Sequence, residues 1–444
     1  MPGVPAQPDM TTQPRPVYVI GAGPGGLAVA AALRARGVRA VVIEKSDRVG
    51  DSWRRHYDRL HLHTTRRLSA LPGLRIPRRF GRWLSRDDVV RYLEKYAEHH
   101  ELEIITGVEV TRIDRATDTS TSTSTSTDGD PGTATSTRRR TRADRPTPGW
   151  TLHATGGREL AAAAVVVATG FNHTPALPDW PGRDTYTGRL LHASEYRSAA
   201  PYAGLDVLVV GAGNTGAEIA VDLTEDRHGK AKRGTMSRTK DKTPALTPTR
   251  AKTVRLAVRT APHIVRRSTA GWPAQRTGIL VRRLPVRLVD RLGALVAKAS
   301  VPDLSPYGLP RPATGLYSRV REGAIPVQDV GLIAAVRARR VVPVAAVESF
   351  DGAEVVLADG SRIAPDVVIA ATGYRRGLEG LVGHLGVLDG RGRPLARGSR
   401  TPDSAPGLYF TGFTNPISGM LRELALDAEK IAKTLPRRLP EPRS

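Results

Sequence analysis

Cysteine is absent from this chain of 444 residues. Structural disulfides are thereby excluded, and so is a redox-active cysteine pair, which removes every enzyme that works through a dithiol. Aromatic residues make up only 5% of the chain. Acidic residues are scarce too, 43 Asp and Glu against 67 Lys and Arg, giving a formal net charge of +24. No apolar run approaches the length of a membrane span. The first fifteen residues are polar and Pro-rich, without the apolar core of a signal peptide. A cytoplasmic, globular protein is expected, with disordered tails at 1–13 and 437–444.

The positive charge is unevenly spread. Between Arg227 and Lys298 there are 19 Lys and Arg against Asp241 and Asp290 alone. Within it, 227–252 is a Lys/Arg/Thr/Pro stretch without apolar periodicity, which reads as a solvated insertion. Electrostatics alone would allow a nucleic-acid partner. Interleaved aromatics and any recognised module are missing, so no specific nucleic acid is expected. A second insertion at 115–148 is a Ser/Thr repeat followed by Arg138-Arg139-Arg140, too low in complexity to form a core. Residues 277–299 form a basic amphipathic segment broken at Pro285. Its Leu/Val face is expected to pack on the domain, peripheral membrane contact being the other reading.

Against these absences stand 44 glycines, and two groups of them are informative. Val17 to Ile20 is a short apolar run that turns through Gly21-Ala22-Gly23-Pro24-Gly25-Gly26 into an Ala/Leu-rich helix from Leu27 to Arg36. A second run, Ala40 to Ile43, ends in Glu44 and Lys45, where a ribose-binding acid belongs. The pattern recurs at Val207 to Val210, followed by Gly211-Ala212-Gly213-Asn214-Thr215-Gly216. In such a turn the first Gly makes the bend. The second lets backbone approach a pyrophosphate, and the third lets helix pack on strand. One copy is weak evidence; two change the reading.

The repeat runs deeper. Each turn is followed far downstream by a β-meander closing on Ala-Thr-Gly-aromatic: 150–167 leads to Thr169-Gly170-Phe171, and 347–369 to Thr372-Gly373-Tyr374. The fold class expected is α/β, with two Rossmann-like dinucleotide-binding domains, the second inserted in the first. The boundaries are 14–174 and 373–436 for the first domain and 175–372 for the second. In the second unit the strand Val254 to Val258 ends in Arg259-Thr260, where the first has Glu44. A carboxylate accepts from a free ribose hydroxyl and repels a 2′-phosphate, whereas a guanidinium does the reverse. FAD is therefore expected in the first unit and NADPH in the second.

Two further segments bear on the site. His56, His61 and His63 invite a metal reading, but no acidic or cysteine set accompanies them, so a cavity-lining strand is preferred. Ser85 caps a helix carrying Val89, Val90, Leu93, Tyr96 and Ala97 on one face. Near the end, the strand 407–410 reaches Thr411-Gly412-Phe413, and Ser418 opens a helix with Leu421, Leu424, Ala428, Ile431 and Leu435 inward. Its N-terminus would offer N–H groups to an anionic flavin ring.

Tyr186-x-Gly188-x-x-x-His192-x-x-x-Tyr196 resembles the FxGxxxHxxxY fingerprint of flavin-containing monooxygenases, with Tyr186 in place of Phe. The resemblance is closest to the YUCCA-type, indole-3-pyruvate monooxygenase-like branch. It rests on Tyr57-Asp58-Arg59-Leu60, on the stretch from Leu284 to Arg291, and on Pro326 to Gly331. Asp51 departs from the usual GGxW, and the active-site Asn of animal-type members has no counterpart, since the first Asn is Asn172. The resemblance implies an NADPH-dependent oxygenase that delivers one atom of O2 through a flavin peroxide. Its substrate would be a small 2-oxo acid or a soft nitrogen or sulfur nucleophile. Gly21, Gly23, Gly26 and Glu44 are the expected FAD contacts, and Pro24, Lys45, Trp53, His63, Thr169, Gly170 and Gly412 are further expected cofactor contacts. Gly211, Gly213, Gly216 and Arg259 are those expected for NADPH, with Asn214, Thr215, Thr260, Thr372 and Gly373 completing the cofactor-binding set. No side chain is a firm catalytic candidate, and His192 and Tyr196 are expected to brace the linker. A flavin reductase serving a protein partner and a non-catalytic NADPH sensor share the nucleotide motifs.

Overall fold

The computed structural model describes residues 15–116, 149–225, 250–269, 271–281 and 284–436. The expected tails, and most of the two expected insertions, lie outside the described residues.

Strand β1 (Val17–Ile20), helix α1 (Pro24–Arg34) and β2 (Ala40–Ile43) open the chain, followed by α2 (Asp51–Arg54) and α3 (Arg86–His99). β3 (Glu103–Ile105), β4 (Val110–Arg115), β5 (Trp150–Ala154), β6 (Arg158–Ala162) and β7 (Ala164–Val167) complete the first stretch. β8 (Thr174–Pro175) and β9 (Arg189–His192) lead to β10 (Asp206–Val210), α4 (Asn214–Thr224) and β11 (Thr253–Ala257). Next come β12 (Ile264–Arg266), β13 (Ser268–Thr269), β14 (Trp272–Pro273), α5 (Ala274–Leu280), α6 (Val286–Ser300), α7 (Leu316–Arg321), β15 (Val327–Asp329) and α8 (Leu332–Arg337). β16 (Val342–Val344), β17 (Val347–Asp351), β18 (Glu354–Leu357), β19 (Arg362–Ile363), β20 (Val367–Ala370), β21 (Tyr374–Arg375) and α9 (Glu379–Val382) follow. β22 (Leu408–Phe410) and α10 (Met420–Thr434) end the described chain.

Two five-stranded parallel sheets organise the molecule, ordered β22-β7-β1-β2-β3 and β16-β11-β10-β20-β9. The strand feeding each glycine turn, β1 or β10, is the middle one. Central strands of a parallel sheet are covered on both faces, which is why Val207 to Val210 reads as an unbroken Val/Leu run and β1 as an apolar one interrupted by Tyr18. One face of the first sheet packs on α1, α3 and α10 through Leu27, Leu33, Tyr96 and Ile431. Its other face packs on a three-stranded antiparallel sheet, β4-β5-β6, through Ile113, Trp150 and Leu152. The second sheet repeats the plan. α4 and α8 lie on one face with Tyr196 and Tyr202, and β17-β18-β19 with Phe350 covers the other. The α/β class with two Rossmann-like sheets, expected from the repeated turns, is what the chain adopts.

Three details differ from expectation. The strand closing each meander, β7 or β20, leaves it and joins the parallel sheet, and β4 takes the vacant edge of the first meander. Arg115 is paired with Trp150 there, so ordered structure extends into the first expected insertion. At the other insertion, Ala251 is buried and its N–H donates to Leu223 O at 3.0 Å, which fixes the last residues of the basic segment to the core. Lastly, α6 does not bury its apolar face. None of its residues is buried, and Leu295 and Val296 are 66% and 65% exposed.

Candidate functional site

Both glycine turns sit at the carboxyl ends of their sheets, and both are sterically dictated. Gly21 has φ of +106°, and a β-carbon there would lie 2.7 Å from Ala168 O. Gly211 repeats this at +109° and 2.6 Å from Ala371 O. A β-carbon at Gly26 would come within 1.9 Å of Gly21 O, and one at Gly216 within 1.9 Å of Gly211 O. No side chain larger than hydrogen fits these four positions. Gly23 and Gly213 differ, because a β-carbon at either would meet no protein atom within 4 Å. Those two glycines border open space, as the pyrophosphate-facing position should. Each is the N-cap of its helix, without a side-chain cap, and Pro24 fills the first position of α1. The backbone N–H groups of the first turn are thus left for an anion.

Glu44 stands at the end of β2 with its carboxylate already oriented. Oε2 accepts from Ala22 N at 2.7 Å and Oε1 from Ser46 N at 3.0 Å. Each oxygen keeps a lone pair for a ribose hydroxyl. Lys45 points elsewhere, to Glu109 at 3.7 Å and to His173 Nε2 at 3.4 Å. Trp53, in α2, meets His56 edge-on at 5.7 Å. His63 lies 2.8 Å from Glu218 of α4, a carboxylate buried among apolar residues. That distance is short, but Glu218 Oε1 lacks hydrogen-bond geometry. His61 turns away to Arg59 O at 2.7 Å and shares nothing with His63.

At the crossover between the sheets, Gly170 and Gly373 take φ of +95° and +88°. Thr169 Oγ1 is buried with no protein partner among the described residues, beside the first turn, and fits a ligand hydrogen bond. Thr372 is engaged, its hydroxyl donating to Ala176 O at 2.5 Å. Gly412, at φ +85°, follows Thr411, whose N–H donates to Val167 O and whose hydroxyl donates to Asp427 on α10 at 3.3 Å. Burial raises the Asp427 carboxyl above the ordinary range. The last helix begins two residues later than expected. Gly419 is its N-cap, and Ser418 donates to Glu423 at 2.6 Å.

In the second cradle the Asn214 side chain is committed to a neighbouring loop, donating to Pro326 O at 3.1 Å and accepting from Gln328 N at 2.7 Å. Thr215 sits half-buried in the first turn of α4. Gly211 N donates to Ala257 O, so the turn and the end of β11 are bonded together. Arg259 lies two residues past that end, exposed and without a protein partner among the described residues. Thr260 borders a cavity of about 90 Å³ with His263 and Arg319.

The fingerprint residues do not open into either cradle. Tyr186 donates to Pro365 O at 2.6 Å and packs on Phe350, and Gly188 leaves room for its ring. His192 is buried. Its Nδ1 accepts from Ser194 N at 3.1 Å, which leaves Nε2 protonated and donating to Gly373 O at 3.0 Å. Burial lowers its pKa, keeping the ring neutral. Tyr196 is buried, donates to Asp222 at 2.6 Å and stacks on Tyr202. Sequence reasoning missed an arginine-lined cavity of about 290 Å³ bordered by Thr65. Its walls come from segments some 200 residues apart, and no periodicity or motif signals it.

Two cradles of one build, at the carboxyl ends of two parallel sheets, define an oxidoreductase that brings two dinucleotides together. Residues 15–239 match the family model for pyridine nucleotide-disulphide oxidoreductases. A rice (Oryza sativa subsp. japonica) indole-3-pyruvate monooxygenase, YUCCA1, is 33% identical over 435 residues, covering 97% of this chain and 94% of the relative. A probable indole-3-pyruvate monooxygenase from Arabidopsis thaliana, also YUCCA1, is 31% identical over 93% of this chain and 88% of its own. Among solved structures, a flavin-containing monooxygenase from Stenotrophomonas maltophilia superposes with a TM-score of 0.62 at 21% identity, covering 94% of this chain and 98% of its own. The chain belongs to the flavin-containing monooxygenases, in their YUCCA-type branch. It is an oxidoreductase of a family that uses FAD and NADPH. Among the described residues no helix is long and apolar enough to cross a membrane.

Proposed function

We propose that the chain oxygenates an indole-3-pyruvate-like 2-oxo acid at the expense of NADPH and O2. One observation carries this reading: similarity over 97% of the chain to a relative whose name states that activity. When bound, the flavin supplies the redox chemistry, passing reducing equivalents from NADPH to O2. The protein's own part is to bind and orient. The first-turn amides of α1 hold the FAD pyrophosphate, with Glu44 on the ribose and Thr169 Oγ1 as a further donor. The amides of α4 hold the NADPH pyrophosphate, and Arg259 meets the 2′-phosphate. His192 and Tyr196 hold the crossover rigid, since every polar atom they carry is already engaged. FAD belongs to 14–174 with 373–436, and NADPH to 175–372.

The test supplies FAD-loaded protein with NADPH, isotopically labelled O2 and indole-3-pyruvate. One labelled atom in the carboxylic acid product, with one NADPH oxidised per CO2 released, is expected. Hydrogen peroxide as the sole product, with rapid reduction of an added electron acceptor, would make the protein a reductase instead.

A further inference from the structure

The cavity of about 290 Å³ is lined by Thr65, Pro273 and four arginines, Arg66, Arg67, Arg82 and Arg276. No acid lines it, and none of the four arginines has an acidic partner among the described residues. Arg267 adds a cation at its edge. The Arg267 guanidinium lies over the Trp83 ring at 4.5 Å, with Arg82 over the same ring at 5.2 Å. The four lining guanidinium groups repel one another, and an entering anion would relieve that repulsion, whereas Arg267 also feels the Glu218 carboxylate.

The arginines divide into two pairs. Arg66 is held by the carbonyls of Gly81 at 2.8 Å and Ile76 at 3.0 Å, and Arg82 by that of Gly271 at 2.5 Å. These two build the wall. Arg67 and Arg276 make no protein hydrogen bond among the described residues and are exposed. Their guanidinium groups keep the planar fork that matches a carboxylate. Among the described residues, Arg276 is steadied by the Trp272 ring at 5.2 Å.

The cavity is tied to both halves of the site. Thr65 N donates to Gln275 Oε1 at 2.9 Å, and Gln275 Nε2 donates to Ser418 O at 2.7 Å, immediately before the N-cap of α10. Two residues before Thr65, His63 reaches Glu218 on the helix that follows the second glycine turn. A molecule here would be linked through Gln275 to the start of α10 and through His63 to α4. The volume is at the lower end for small-molecule sites, large enough for a compact acid.

We propose that this cavity is the subsite for the substrate's acid group, with Arg67 and Arg276 gripping the carboxylate. The inference rests on the 2-oxo acid reading above. It is tested by binding rather than turnover, so that the two can fail separately. Indole-3-propionate carries the carboxylate but no 2-oxo group, and indole-3-propionamide is its neutral counterpart. Calorimetric titration of oxidised, FAD-loaded protein should show the acid binding roughly ten- to a hundredfold tighter than the amide, the effect of one or two charge-assisted hydrogen bonds. Added salt should weaken the acid alone. Arg67→Gln and Arg276→Gln should each erase about tenfold of that preference, with FAD content and Tm unchanged. Arg67→Lys, which keeps charge but not the fork, should fall between.

Equal binding of acid and amide by the native protein would overturn the proposal, as would variants that retain the preference. Displacement of the acid by 2′,5′-ADP would assign the arginines to a nucleotide phosphate and overturn it as well. If the acid binds as expected and no 2-oxo acid is oxygenated, the functional reading fails while the carboxylate site stands.

Discussion

Arg259→Glu probes how the second cradle selects its nucleotide. Arg259 sits two residues past β11, whose last carbonyl is bonded to Gly211 of the turn, and it is exposed with no protein partner among the described residues. Its replacement therefore costs the fold little. A 2′-phosphate would lose one or two charge-assisted hydrogen bonds, each contributing roughly 1.5–3 kcal/mol. Solvent screening at an exposed site favours the low end of that range. Since about 1.4 kcal/mol is tenfold in affinity, kcat/KM for NADPH should fall roughly ten- to a hundredfold, mainly through KM. NADH carries no phosphate there and should lose far less. Arg255 is a poor control because it faces Asp206. Arg337, exposed at the end of α8, is a better one, and Arg337→Glu should leave both cofactors unaffected. Flavin reduction followed by stopped flow with each cofactor in the three proteins decides the matter. Equal losses for NADPH and NADH, or equal effects at Arg259 and Arg337, would refute the assignment and leave only a diffuse positive field.

Gly26→Ala places a β-carbon 1.9 Å from Gly21 O, so the purified protein should retain almost no FAD by absorbance. Gly213→Ala meets no protein atom; Tm should hold while KM for NADPH rises, and a large loss of Tm would contradict this. Tyr196→Phe removes the donor to Asp222 and should cost about 1.5–3 kcal/mol in denaturant unfolding. The kcat per bound FAD should stay near native if the residue only braces. His56 is pushed down to about 4, by burial first and then by the Arg197 and Arg86 cations. With a folded pKa below the ordinary 6.5, the unfolded chain takes up the proton first as pH falls. The stability from neutral His56 is complete above pH 6.5 and is lost towards pH 4, on the order of 3 kcal/mol in all. His56→Gln should flatten that part of the Tm–pH profile.

The parts of this molecule legible in its sequence are those fixed by local chemistry. Val17–Ile20 and Asp206–Val210 announce themselves as buried parallel strands, and the glycines after them have no alternative. Ser85 was readable as a cap because its partner is three residues away, and its side chain accepts from Asp88 N as such a cap should. The last helix was legible from the spacing of Leu421, Leu424, Ala428 and Ile431, all buried. What could not be read depends on distant partners. Thr65, Gln275 and Ser418 form one hydrogen-bonded chain across more than 350 residues of sequence. Nor does spacing distinguish an amphipathic helix that buries its apolar face from one that leaves it exposed, and α6 is the second kind.

The crossing between the two sheets has a mechanical consequence. The outgoing chain at β8 and the returning chain at β21 are not independent strings but an antiparallel ribbon, Tyr374 against Pro175 and Arg375 against Thr174. Ala176 N and His192 Nε2 both bond Gly373 O, and the Arg376 guanidinium lies 3.6 Å from the Phe171 ring centroid. A single tether lets two bodies swivel about any axis. Two tethers bonded side by side form a strap that bends across its flat face and resists torsion. At this crossing, torsion between the two sheets is therefore resisted more than bending across the ribbon. Such a bend would change the gap between the glycine turns and their mutual orientation together.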